Sequence, residues 1–141
     1  VIRVLLVDDH AAVRHGLAAV LADAPDLDVV GACEDGSDVR EAAVRLQPDV
    51  VLMDLSMVVM GGIEATQELQ KVLPSARVVM LTSSIAGAAV HESHAAGAVG
   101  FVLKPGSPDE IADAIRAVAA GGTAWCAEAV EALRHGCTGA V

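Results

Sequence analysis

The sequence predicts an α/β domain built on a doubly wound, five-stranded parallel sheet with helices on both faces. Strand-like apolar runs alternate five times with segments of helical period. The third run, Asp49 to Met53, is apolar from Val50 to Met53, as suits a central strand buried on both faces. Four of the runs close on a polar or charged residue, which places those groups at one sheet edge if the strands are parallel neighbours.

Each element follows from local pattern. Val1 to Val7 is the first strand, and Ala11 to Ala24 puts Val13, Leu17, Val20 and Leu21 on one helical face, with Pro25 just beyond. Asp28 to Cys33 is an edge strand. Ser37 to Gln47 is a helix with Val39, Ala43 and Leu46 inward and Arg40, Glu41 and Arg45 outward. After Pro48 and the central strand, a loop from Leu55 to Gly61 leads to a third helix with Ile63, Leu69 and Leu73 inward, ended by Pro74. Arg77 to Leu81 is the fourth strand, and Gly87 to Ala96 an Ala-rich helix whose packing is expected to be looser. Val99 to Leu103 is the last strand. Ser107 and Glu110 form a capping-box pattern before a fifth helix that buries Ile111, Ile115 and Val118 and closes at Gly121-Gly122. Ala127 to Arg134 is expected to form one more short helix, with Trp125 packing it onto the domain.

Bulk properties narrow the function. At 141 residues with 54% hydrophobic content the chain holds one core, and its single Phe and single Trp offer little for stacking on bases or sugars. A net charge of −10 with no Lys/Arg cluster argues against nucleic-acid or anionic-membrane binding by these residues; a bound cation or a basic partner fits better. The longest uncharged stretches fall short of a membrane span, and nothing at the N-terminus resembles a signal peptide. Cys33, Cys126 and Cys137, odd in number and unpatterned, suit structural roles in a reducing cytoplasm. A start at Val1 and a stop after Cys137-Thr-Gly-Ala-Val suggest an excised fragment.

The strand-end residues are Asp8 and Asp9, Asp54, Thr82 and Lys104. Taken singly, each has a plain reading: a solvated turn, a turn threonine, a solvated charge before proline. Three carboxylates at one edge, however, are costly without a compensating cation or proton. Mg²⁺ meets that need with oxygen ligands while leaving room for phosphate oxygens. A metal-bound carboxylate can attack phosphorus, and the Lys104 ammonium and Thr82 hydroxyl would then neutralise phosphoryl oxygens. His10, His15, His91, His94 and His135 show no zinc-site spacing and are expected at the surface. No G-x-S-x-G elbow or reactive-cysteine context appears.

Asp8-Asp9, Asp54, Thr82 and Lys104-Pro105 at these spacings resemble the receiver domains of bacterial response regulators, over Val1 to about Gly122. The segments VRHGL, PDVVLMDLSM, GGIEAT, ARVVMLT, HAAGAVGFVLK and IRAVAAGG look most like the NarL/FixJ group. The resemblance implies a flavodoxin-like sheet of order 2-1-3-4-5, a receiver over residues 1–122, and a linker with a short helix over 123–141 leading to a DNA-binding domain. It implies that a sensor histidine kinase phosphorylates Asp54. Asp9 and Asp54 would be direct Mg²⁺ ligands, with Asp8 acting through water and the Ser56 carbonyl adding a ligand. Thr82 and Lys104 would bind the phosphoryl group, and Lys104-Pro105 would be a cis peptide. Phosphorylation would draw Thr82 inward, let Phe101 change rotamer and favour a homodimer, the fourth helix being a candidate contact surface and the first and fifth the runner-up.

One departure stands out. The family usually reads Met-Pro-x-Met-Asp-Gly after the acceptor strand, whereas this chain has Met57-Val58-Val59-Met60-Gly61-Gly62, so the loop is expected to be more mobile or differently shaped. Other readings are a receiver that switches by dimerisation or ligand binding without phosphorylation, and a haloacid-dehalogenase-type phosphatase. The latter expects an Asp where Ser56 stands. A flavin module of the same topology would place Ser, Thr and Gly where Asp8-Asp9 would repel a phosphate.

Overall fold

In a computed structural model, which describes residues 1–55, 57, 59–82, 87–103 and 108–139 (the side chains of 108 and 135–139 excepted), strands and helices alternate in the expected order. The strands are β1 (Ile2–Val7), β2 (Leu27–Cys33), β3 (Val50–Asp54), β4 (Arg77–Thr82), β5 (Gly100–Leu103) and a short β6 (Ala124–Trp125). The helices are α1 (Ala11–Ala22), α2 (Val39–Leu46), α3 (Gly62–Val72), α4 (Gly87–Ala96), α5 (Pro108–Ala119) and α6 (Ala127–Gly139). All described strand pairs are parallel, in the order β2-β1-β3-β4-β5-β6. The sheet therefore keeps the 2-1-3-4-5 core and gains a sixth strand that local pattern missed, because two residues are too few to show alternation.

The alternation of the strands sorts two cores. Val4, Leu6, Val50, Leu52, Val79, Leu81 and Val102 pack with Leu21 of α1 and Ile111, Ile115 and Val118 of α5. Leu5, Val7, Val51, Met53, Val78, Met80 and Phe101 pack with α2, α3, Val90 of α4 and Ala129 of α6. Every residue of β3 is buried, Asp54 included, which is the signature of a central strand covered on both sides.

Element ends depart from expectation for local reasons. α1 stops at Ala22, not Ala24, because the chain tightens there, with the Asp23 and Ala24 amides donating to Val20 and Leu21, and Pro25 disfavours helical backbone before it. The second helix begins as a 3-10 turn at Gly36–Asp38, capped by the Asp35 carboxylate. α5 ends in a Schellman motif: Gly121, at φ +94°, donates to Val118 O and Gly122 to Ala117 O. The Ser107 cap lies outside the described residues.

The terminal segment is integral to the second core. Trp125 pairs in register with Phe101, Cys126 N donates to Phe101 O at 2.9 Å, and His91 Nε2 lies 2.9 Å from Ala132 O. α6 thus packs along one side of α4, while Gly87, Ala88, Glu92, His94 and Ala95 of that helix stay exposed. His91 and His94 are accordingly interaction residues, the latter facing Trp125 with ring centroids 5.6 Å apart.

Candidate functional site

Strand register assembles the site. Val7 of β1 pairs with Met53 of β3, so Asp8 and Asp54, the next residues, emerge side by side at the carboxyl edge. Asp54 in turn pairs with Leu81, and Thr82 with Leu103, which sets the threonine one position further along the same edge. Asp8 and Asp54 are only 2% and 5% exposed, and Thr82 7%. Such burial of carboxylates demands compensation.

Carboxylate oxygens of Asp8, Asp9 and Asp54 and a ring nitrogen of His10 all lie within 4.8 Å of one another. His10 Nδ1 is 3.1 Å from Asp8 Oδ1 and 3.0 Å from Asp9 Oδ1, and its backbone N–H donates to Asp8 Oδ1. His10 is therefore exposed, as expected, yet belongs to the cluster. A hard divalent cation fits this donor set of three carboxylates, two of them buried.

Further residues hold the edge in place. Arg14, one turn into α1, donates from Nη1 to Asp8 O at 2.6 Å while Nη2 reaches Glu34 at 3.5 Å. Leu55 N donates to Leu81 O, so the chain leaving Asp54 stays tied to β4. The loop that follows is held at its far side by Asp35, whose carboxylate accepts from the Ser37, Val59 and Met60 amides at 2.9 Å each. Desolvation is the largest influence on this carboxyl and pushes it up, but the hydrogen bonds from Ser37, Val59 and Met60 together bring it down to about 2. Neither Arg14 nor Asp35 was singled out from sequence; the Asp35-Gly36-Ser37 run is a turn signature that could have flagged the latter.

Of the sequence candidates, the fold brings Asp8, Asp9 and Asp54 together with Thr82 on the same edge. Phe101 is fully buried on β5, stacked with Trp125. Ser56, Val58, Lys104 and Pro105 lie outside the described residues. Burial lifts the Cys33 thiol to about 11, with Asp38 adding to it, which suits an inert core residue. Among the described residues no helix is long and apolar enough to cross a membrane.

A parallel sheet of this order with an acidic pocket at its carboxyl edge is the architecture of a signalling receiver. The response regulator receiver domain family matches residues 4–116, and the chain belongs to that family. It is 49% identical over 120 residues to the transcriptional regulatory protein LiaR of Bacillus subtilis (strain 168), a match covering 85% of this chain and 57% of that protein. With the response regulator protein VraR of Staphylococcus saprophyticus it shares 46% identity over 115 residues, 82% of this chain and 55% of that one. The chain thus spans little more than half the length of these relatives. A LuxR-family two-component response regulator from Aurantimonas sp. SI85-9A1 superposes at a TM-score of 0.90 with 31% identity, covering 97% of this chain and 98% of that one. The NarL signal receiver domain from Mycobacterium tuberculosis gives 0.81 at 31% identity, over 85% and 97%. The chain is a receiver domain of a two-component response regulator, and the phosphatase and flavin readings fall away.

Proposed function

We propose that Asp54 is the phosphate acceptor of this receiver. The observation that carries the reading is the burial of Asp54 at the end of the central strand, its carboxylate grouped with those of Asp8 and Asp9. The donor is a phosphohistidine of a sensor kinase. An Asp54 oxygen forms the new bond to phosphorus, the phosphorus–nitrogen bond breaks, and its electron pair stays with the imidazole. The same pocket would accept a phosphoryl group from a small donor such as acetyl phosphate, and would later admit water to release it.

Asp9 and Asp54 would hold Mg²⁺ directly, Asp8 through water, and the Ser56 carbonyl would complete the protein ligands. When bound, the ion neutralises the carboxylates and one phosphoryl oxygen. Thr82 and Lys104 take the remaining oxygens. Phe101 then responds to the inward shift of Thr82, and the altered face favours a homodimer. The receiver spans residues 1–122, and residues 123–141, whose β6 and α6 pack onto it, lead on to a DNA-binding output domain, in keeping with the transcriptional regulator LiaR. Its working compartment is the cytoplasm, where the kinase phosphodonor is found.

Mass spectrometry of the chain incubated with acetyl phosphate and Mg²⁺ tests the reading. The expected result is one phosphoryl adduct, lost in Asp54→Asn. An unmodified chain, or an adduct that persists in the variant, would end it.

A further inference from the structure

The segment after the acceptor strand, Leu55 to Gly61, contains no proline and no charged side chain, so neither a proline ring nor a side-chain charge of its own restrains it. Its restraint comes from elsewhere. The Asp35 carboxylate, at the turn between β2 and α2, takes the amides of two consecutive loop residues, Val59 on Oδ1 and Met60 on Oδ2. Gly36 N donates back to Met60 O at 3.1 Å, and the close approach requires glycine: a Cβ at position 36 would sit 2.4 Å from that carbonyl oxygen. Gly62 N closes the loop onto Leu55 O at 3.0 Å, directly after Asp54.

We infer that Asp35 is a positioning residue for the phosphoryl-transfer site, holding Val59 and Met60 of the segment after Asp54 by charge-assisted hydrogen bonds from the turn between β2 and α2. The inference rests on the receiver reading of Asp54. Its physical basis is that an ionised carboxylate bridging adjacent amides holds both peptide planes at once, more firmly than a neutral acceptor would. Val59 and Met60 lie between the acceptor aspartate and α3, so fixing their peptides restrains the backbone on the α3 side of the site. Asp35 acts through the Val59 and Met60 peptides, whose amides it accepts.

The test compares the whole chain with Asp35→Ala and Asp35→Asn. Calorimetric Mg²⁺ binding and the lifetime of the phosphoryl adduct are measured beside the thermal midpoint. Loss of the carboxylate is expected to weaken Mg²⁺ binding about tenfold, the usual effect of removing an outer partner of a metal site, and to shorten the adduct lifetime. Asn, which keeps one acceptor oxygen, should recover part of both. A folded Ala variant with unchanged affinity and lifetime overturns the inference. If that variant does not fold, amide exchange in the unaltered chain decides: slow exchange at Val59 and Met60, slowed further by beryllofluoride with Mg²⁺, supports it, and fast exchange at both overturns it. An unaltered chain that takes up neither Mg²⁺ nor a phosphoryl group overturns the reading of Asp54 itself, an outcome distinguishable because it needs no variant.

Discussion

Trp125 lies nearly parallel to Phe101, with ring centroids 6.5 Å apart and planes at 17°. The pairing of β6 with β5 sets these rings in register. Phe101 is fully enclosed, and the tryptophan that covers it also faces His94 of α4. The buried aromatic of β5 is thereby coupled by contact to the β6 and α6 segment, which puts that segment next to the residue expected to move.

Trp125 is the sole tryptophan, so its emission reports on this contact. Adding beryllofluoride and Mg²⁺ should change the intensity or wavelength of that emission, and Asp54→Asn should abolish the change. A constant spectrum under conditions where the ligand demonstrably binds would mean that Phe101 keeps its place.

Trp125→Ala should destabilise the fold by about 2 kcal/mol, below the range for a fully buried aromatic because the ring is only partly covered. Urea unfolding followed by circular dichroism would measure it. A loss under about 0.5 kcal/mol, the scale of ordinary surface substitutions, would show that β6 and α6 contribute little to the core.

Gly36→Ala should cost about 1–3 kcal/mol, the penalty of forcing atoms into an occupied site, since the added carbon meets a backbone oxygen rather than a movable side chain. The urea midpoint reports it. A neutral result would mean that the two loops separate without penalty.

Asp35 gives stability a defined pH dependence. Its folded value of about 2 lies below the ordinary 3.8, so the carboxylate's stabilisation is fully present above 3.8 and is lost as pH falls through about 2. The denaturation midpoint of the native chain should therefore fall more steeply between those limits than that of Asp35→Asn. Parallel curves would remove this residue from the acid sensitivity.

Asp9→Asn should stabilise the cation-free protein by about 1 kcal/mol, because the half-exposed Asp9 carboxylate is repelled by those of buried Asp8 and Asp54, all within 4.8 Å of one another. The same change should reduce the stabilisation gained on adding Mg²⁺. Thermal melts in EDTA and in Mg²⁺ give both numbers, and an unchanged Mg²⁺ response would take Asp9 out of the ligand set.

Much of the fold is legible in the sequence because its elements are strongly periodic. The run Val50 to Met53 could hardly be anything but a buried strand, and the β1 to β5 assignments hold to within two residues. β6 escaped because Ala124 and Trp125 acquire strand geometry only by pairing with Gly100 and Phe101. His10, His15 and His94 are exposed as expected, but the contacts of His91 and His94 escape local pattern. A histidine's role depends on what lies across from it, and Ala132 and Trp125 are more than thirty residues away from His91 and His94.

What the sequence determined alone was the alternation of strand and helix and the set of acids placed at strand ends, since both are matters of local pattern and period. Tertiary structure decided the rest: which strands are neighbours, how far Asp54 is buried, that α6 packs along one side of α4, and that Asp35 reaches the loop beyond Asp54. Those facts depend on groups far apart in the chain meeting at hydrogen-bond distance, and no local pattern encodes a meeting of that kind.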